Sequence, residues 1–163
     1  MPWSEAPSPE VQARLDAIFD ALLARLLELP DGFVHRDYQS RNLMWRPGSD
    51  ELVLLDFQDA FIGPAHYDLV ALLCDSYVDI DQAIATAMLD RYAAQRGYDE
   101  AARTSLHRDF ALLSVQRKLK DAGRFVFIDR VRGNPSFLRH YPSSLVYVAR
   151  ALDALPDLPE LGQ

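Results

Sequence analysis

The stretch FVHRDYQSRNLMWRPGSDELVLLDFQD, residues 33–59, decides how this chain is read. It parses as strand, loop, strand, tight turn, strand and acidic loop. Pro47-Gly48 suits the centre of a type II turn, because Pro presets φ and Gly accepts a positive φ. Such a turn folds Leu43-Met44-Trp45 back on Leu52-Val53-Leu54-Leu55. Asn42 and Asp56, at the outer ends of the two strands, then become neighbours. Asp37 and Asn42 stand five apart in HRDYQSRN. In that spacing an Asp accepts a hydroxyl proton and an Asn holds Mg²⁺ during phosphoryl transfer. Asp56 closes an apolar strand and opens DFQD, the place for a second Mg²⁺ ligand. A lone loop Asp or Asn is ordinarily a turn former. The HRD-x4-N run, the hairpin and the strand ending in Asp-Phe together point to a kinase-type site.

The residue types fit that chemistry. Phosphoryl transfer asks little covalent work of a protein; positioning and neutralisation of phosphate charge carry the rate. Carboxylate and amide oxygens are the hard ligands Mg²⁺ prefers, and this ion keeps several waters besides.

Upstream, Ser8-Pro9-Glu10 reads as a helix start: N-cap, Pro at the first helical position, acid in the first turn. Val11, Leu15, Ile18, Leu22, Leu26 and Leu29 recur at helical steps up to Pro30, the pattern of one packing stripe. Downstream, Ile62-Gly63-Pro64 is expected to turn and a helix to run from about Tyr67 to Tyr77. Asp68 near its start is either a first-turn acid favoured by the helix dipole or a brace for the catalytic loop. Cys74, in the apolar run of that helix, is expected to be a buried, inert thiol. A further helix is expected from Asp79 or Asp81 to about Arg96, stopped by Gly97. The next begins near Thr104. Its stripe of Leu112, Val115, Leu119, Ala122 and Val126 puts Arg117, Lys120 and Arg124 on the opposite, positive face. Asn134-Pro135 breaks the chain before a last helix over about 143–155.

At 163 residues the chain is long enough for one domain with a substantial core. A net charge of −7 speaks against non-specific nucleic-acid binding. Apolar runs are too short to span a membrane, and the first ten residues lack the pattern of a signal peptide. One cysteine allows no internal disulfide, and a cytoplasmic setting is expected. Residues 105–140 hold eight Lys or Arg against three acids, a local balance of +5 in this acidic chain. Two readings apply to it: a solvated helix face, or the side on which an anionic acceptor or phosphate approaches. Four scattered histidines and no Cys/His spacing argue for no zinc site.

On these residues the chain resembles the C-terminal lobe of the aminoglycoside phosphotransferase and choline kinase group, small-molecule kinases with a protein-kinase-like fold. The matching segments are VHRDYQSRNLM, LLDFQDAFIGPAHYDLVALL and QRKLKDAGRF, spanning most of residues 33–127. The last, with DFQDA, points to the branch of bacterial anomeric kinases that act on N-acetylmuramate and N-acetylglucosamine. The fold implied is mainly α with a small β-hairpin region, an α+β lobe occupying residues 1–163 as a single domain. The resemblance implies ATP and Mg²⁺ as cofactors and a small-molecule sugar as substrate. It implies Asp37 as catalytic base, Arg41 beside the base or the transferring phosphate, Asn42 and Asp56 as Mg²⁺ ligands, and His35 and Asp68 as supports of the catalytic loop. Asp59, Arg117, Lys120 and Arg124 are expected on the substrate side. Only eleven residues separate Asp56 from Asp68 and no Ala-Pro-Glu follows, which leaves no room for an activation loop and favours a small-molecule acceptor. A polycationic aminoglycoside would want an acidic lining, whereas Arg grips a sugar carboxylate in bidentate fashion. The family's nucleotide-covering lobe is expected to be missing: only 32 residues precede Phe33, they read as helix, and no Lys occurs before Lys118. A fragment of a full kinase, a lobe working with a second chain, and a non-catalytic binding module each fit that expectation.

Overall fold

The computed structural model describes residues 6–156 and Leu158. Helix α1 covers Pro9–Leu26, with the Ser8 hydroxyl accepting from the Val11 N–H at 3.3 Å. Strand β1 (Asp31–Val34) follows, then a 3₁₀ turn at Ser40–Asn42, β2 (Leu43–Trp45), β3 (Leu52–Leu54) and β4 (Phe61–Pro64). Helices α2 (Tyr67–Leu73), α3 (Gln82–Gln95), α4 (Glu100–Arg132) and α5 (Tyr141–Asp153) complete it, with a 3₁₀ turn at Pro135–His140 before α5. The mainly helical α+β character read from the sequence is the one observed. Among the described residues no helix is long and apolar enough to cross a membrane.

The hairpin forms as its turn chemistry dictates. Ser49 N–H donates to Arg46 O across Pro47-Gly48, and Gly48 adopts φ 78°, the left-handed value a type II turn requires. Leu43 pairs with Leu54 and Trp45 with Leu52. Leu55 N–H then donates to Asn42 O at 2.9 Å, joining the chain on either side of the future site.

Ile62-Gly63-Pro64 is a strand rather than the expected turn. Residues 61–64 run antiparallel to 31–34, with Gly63 opposite Gly32 and Pro64 opposite Asp31. Pro is tolerated there because it ends a two-stranded sheet and owes no ladder donor. Gly32 is required by close approach: a Cβ on it would lie 2.9 Å from Ala65 Cβ. Helix α2 stops at Leu73, four residues before the expected end, and α4 starts four residues before Thr104, where the Asp99 carboxylate caps Ala102 N–H.

Helix α4, about 50 Å long at 1.5 Å per residue, is the central post. One core cluster joins it to α1 and α5 through Leu22, Ala111, Leu112, Val115, Ala151, Leu155 and Leu158. A second joins it to β1 and α2 through Val34, Tyr67, Val70, Cys74 and Leu113. The β1–β4 sheet is therefore anchored to α4 through Val34 of β1 and through α2. The stripe expected to pack along α1 does so only at its C-terminal end. Leu22 is buried and Leu26 packs against the core, but Val11 and Leu15 are exposed. In the β-rich region Phe33, Trp45, Phe57 and Ile62 are each about two-thirds exposed.

Candidate active site

The loop 35–42 is held in shape from three directions. The Asp68 carboxylate, on the first turn of α2, accepts the His35 N–H at 2.6 Å and the Arg36 N–H at 3.0 Å. Arg117, on α4, donates from Nη1 to Arg36 O at 2.9 Å. Arg36 sits at φ 79°, a left-handed conformation costing a non-glycine residue about 1–3 kcal/mol, and both faces of its backbone are clamped by these bonds. Further along, Ser40 N–H donates to Asp75 Oδ2 at 2.8 Å, while Asp75 Oδ1 takes the Tyr77 N–H at 2.8 Å. Charged acceptors and donors make stronger bonds than neutral ones, which is why carboxylates and a guanidinium do this work.

The residues on either side of Asp75 are held by Lys118. That side chain is wholly buried, donating to Cys74 O at 3.0 Å, to Ser76 Oγ, and to Asp121 Oδ2 at 3.2 Å. A buried ammonium is tolerable when every proton has an acceptor, and here three acceptors surround it. Lys118 thus pins the segment after α2 to the central helix.

Within this frame Asn42 Nδ2 donates to Asp37 O at 2.8 Å. The amide nitrogen is committed, so the oxygen is the end of Asn42 that remains for a cation. Asp56 follows β3 at φ 68°, a second left-handed residue, and accepts Gln58 Nε2 at 2.8 Å. Asp37 and Asp56 line a single charged cavity of about 340 Å³, walled on its far side by α4 and by Tyr77 and Phe137. Arg41 lies on the cavity wall with its guanidinium carbon 3.4 Å from the Tyr77 ring centroid, a close cation–π contact. Lys120 donates to Tyr67 Oη at 3.0 Å, and Arg124 lines the cavity on the exposed side of α4.

Two side chains expected on the substrate side already hold protein partners, Arg117 from the cavity wall and Asp59 away from it. Arg117 is buried at 5 % exposure and holds the loop backbone, with its guanidinium over the Tyr67 ring. It follows Phe110 and Leu113 by seven and four residues, so it shares the face of α4 that packs beneath the loop, not an opposite solvated face. Asp59 pairs with Arg36 at 3.1 Å and does not line the cavity. His35 is buried at 2 % exposure, its ring edge-on to Tyr38 and neither ring nitrogen hydrogen-bonded. Sequence reading passed over Asp75 and Lys118. Asp75 follows an apolar helical run without opening a helix, a weak signal, and Lys118 gave none because periodicity carries no information on a lysine's buried partners.

Cys74 lies buried beside the Ser114 hydroxyl, and burial raises its pKa. His140, edge-on to Tyr77, is held below the usual imidazole range by burial and then by the neighbouring Arg139 charge.

Magnesium binding fits these residues in kind. The Asn42 amide oxygen and the Asp56 carboxylate are hard donors, and Mg²⁺ in phosphate chemistry uses one or two carboxylates with phosphates and water. Among the described residues no three His, Cys, Asp or Glu side chains cluster as a closed metal cage.

The model of the phosphotransferase enzyme family matches residues 2–110. Among curated relatives, the N-acetylmuramate/N-acetylglucosamine kinase of Pseudomonas aeruginosa is 37 % identical over 161 residues, covering 94 % of this chain and 46 % of the relative. The protein of the same name in Pseudomonas putida is 35 % identical, covering 93 % of this chain and 45 % of its own length. That of Neisseria meningitidis is 37 % identical over 150 residues, covering 87 % and 43 %. The chain spans about half the length of the curated relatives it matches. With a family match over more than half its residues and a kinase-like lobe around Asp37, Asn42 and Asp56, the chain belongs to the phosphotransferase enzyme family.

Proposed function

We propose that this chain is the catalytic and acceptor-binding lobe of an ATP-dependent, cytoplasmic kinase that phosphorylates an N-acetylated amino sugar, at its anomeric hydroxyl. The observation that carries the reading is the arrangement of Asp37 and Asp56 on one cavity, with Asn42 tied by its amide nitrogen to the Asp37 backbone. The names of the relatives support the acceptor class.

In this reading Asp37 receives the proton of the sugar hydroxyl as that oxygen bonds to the γ-phosphorus of ATP and the bond from that phosphorus to ADP breaks, ADP leaving with the electron pair. Asp37 is suited to it because no described side chain occupies its carboxylate. Asn42 and Asp56 would hold Mg²⁺, which would neutralise charge on the donor phosphates. Arg41, oriented by Tyr77, faces the negative charge of the transferring group. Asp68, Arg117 and Asp75 keep the loop in its strained form, so that little rearrangement is needed during transfer.

The nucleotide-covering side comes from further protein, either more of the same polypeptide or a second chain. Two facts support this: the relatives are about twice as long, and Phe33, Trp45, Phe57 and Ile62, on the strands and the loop after β3, are large apolar side chains left exposed.

The test is Mg·ATP turnover with N-acetylmuramate, N-acetylglucosamine, an aminoglycoside and choline. It is followed by ADP release on the chain alone and on the chain joined to the complementary half of the Pseudomonas aeruginosa relative. The joined protein is expected to turn over the two N-acetylated sugars, and Asp37→Asn to lower that turnover about 10²–10⁴-fold. Sugar binding without turnover in the joined protein would make the chain a binding module. Turnover of the aminoglycoside or choline in preference to both sugars would overturn the acceptor assignment.

A further inference from the structure

The charged groups that line the cavity are almost all spoken for. Arg41 lies against the Tyr77 ring, Arg117 holds Arg36 O, Lys120 donates to Tyr67 Oη, and Asp121 pairs with Lys118. Asp56 accepts from Gln58. Among the described residues, two ionic side chains on the cavity remain without a partner, the carboxylate of Asp37 and the guanidinium of Arg124. They face the same space and form no ion pair with each other. A ligand bridging them must offer a hydroxyl to the base and an anionic group to the guanidinium.

We infer that Arg124 is the specificity-determining residue for the acceptor: it grips a carboxylate carried on the sugar, while the hydroxyl to be phosphorylated is presented to Asp37. The inference rests on the sugar-kinase reading above and deepens it. A planar guanidinium with five donors matches a carboxylate in bidentate geometry, and Lys120, a point charge already committed to a phenol, does not substitute for it. Arg124 is exposed on α4, so its side chain costs the fold little to remove. Neighbouring Phe125 is buried and stacks on Phe137 with ring planes 11° apart, which fixes the stretch of α4 from which Arg124 projects. The names of the relatives pair an amino sugar that bears a carboxylate with one that does not. Arg124 is then the contact that separates the two, and the rest of the cavity serves both.

The experiment is calorimetric titration of the full chain, without nucleotide, with N-acetylmuramate and with N-acetylglucosamine, on wild type, Arg124→Ala and Arg124→Gln. A charge-assisted contact predicts that either substitution weakens N-acetylmuramate about ten- to hundredfold and moves N-acetylglucosamine less than twofold. An equal loss for both sugars, or an unchanged N-acetylmuramate affinity, would overturn the assignment while leaving the sugar-kinase reading in place. Tighter binding of inorganic phosphate than of N-acetylmuramate, lost in both variants, would assign the guanidinium to a phosphate and equally overturn it. Failure of wild type to bind either sugar would remove the acceptor class itself, and this inference with it.

Discussion

Asp68→Asn tests how the loop 35–42 is held. The carboxylate takes two backbone N–H groups, from His35 at 2.6 Å and from Arg36 at 3.0 Å. An amide of the same shape has one acceptor oxygen, so its NH₂ must face the second donor and one N–H is left unpaired. Losing a hydrogen bond to a charged group costs about 1.5–3 kcal/mol. Arg36 then keeps its left-handed backbone, a strain of about 1–3 kcal/mol, with one clamp fewer. Local opening of the loop should become about 2–4 kcal/mol easier, which at 1.4 kcal/mol per decade is roughly 30- to 1000-fold faster amide exchange at residues 35 and 36. The assay is native-state hydrogen exchange on wild type and variant, with the α3 amides as internal reference. Exchange at His35 and Arg36 changed by less than threefold would refute the brace. So would an equal acceleration in α3, since that reports global destabilisation rather than a freed loop.

Lys118→Met should lower stability by about 3–5 kcal/mol, because it leaves Asp121 partly buried without its partner and Cys74 O without its donor. For a domain of this size that is a fall in Tm of roughly 6–20 °C, read by thermal denaturation; a shift under 2 °C would show the buried ammonium to be dispensable. His140 gives a pH dependence. Its folded pKa lies below the unfolded value of 6.5, so the unfolded state binds its proton first. The contribution of His140 to stability is therefore complete above about pH 6.5 and declines as pH falls from there towards the lower folded value. His140→Asn should flatten Tm against pH below about 6.5, and an unchanged slope there would contradict the burial argument.

The hairpin and the loop were legible because their signals are local. Pro47-Gly48 sets a turn, the turn sets the Leu43–Leu54 register, and the register brings Asn42 near Asp56. HRD-x4-N placed the loop for the same reason. Ile62-Gly63-Pro64 misled, since its composition is that of a turn while its strand is fixed by pairing with residues 31–34, about thirty positions away. Helix α4 misled differently. Helical angle alone separates apolar from charged faces, but Arg117 and Lys118 are buried among backbone carbonyls and carboxylates that only the folded chain supplies. Asp68 remained open between a dipole-favoured helix acid and a loop brace because both readings place an Asp in the first turn of α2. Its two bonds to His35 and Arg36 depend on β1 lying beside that turn.

The claim at the centre is that Asn42 and Asp56 present oxygens to one divalent cation beside Asp37. Mn²⁺ in place of Mg²⁺ reads this directly, by paramagnetic broadening of amide resonances in the presence of ATP. The account predicts broadening confined to residues around 37–42 and 55–58, and its loss in both Asn42→Ala and Asp56→Ala. Broadening centred on another surface, or unchanged in the two variants, would contradict it.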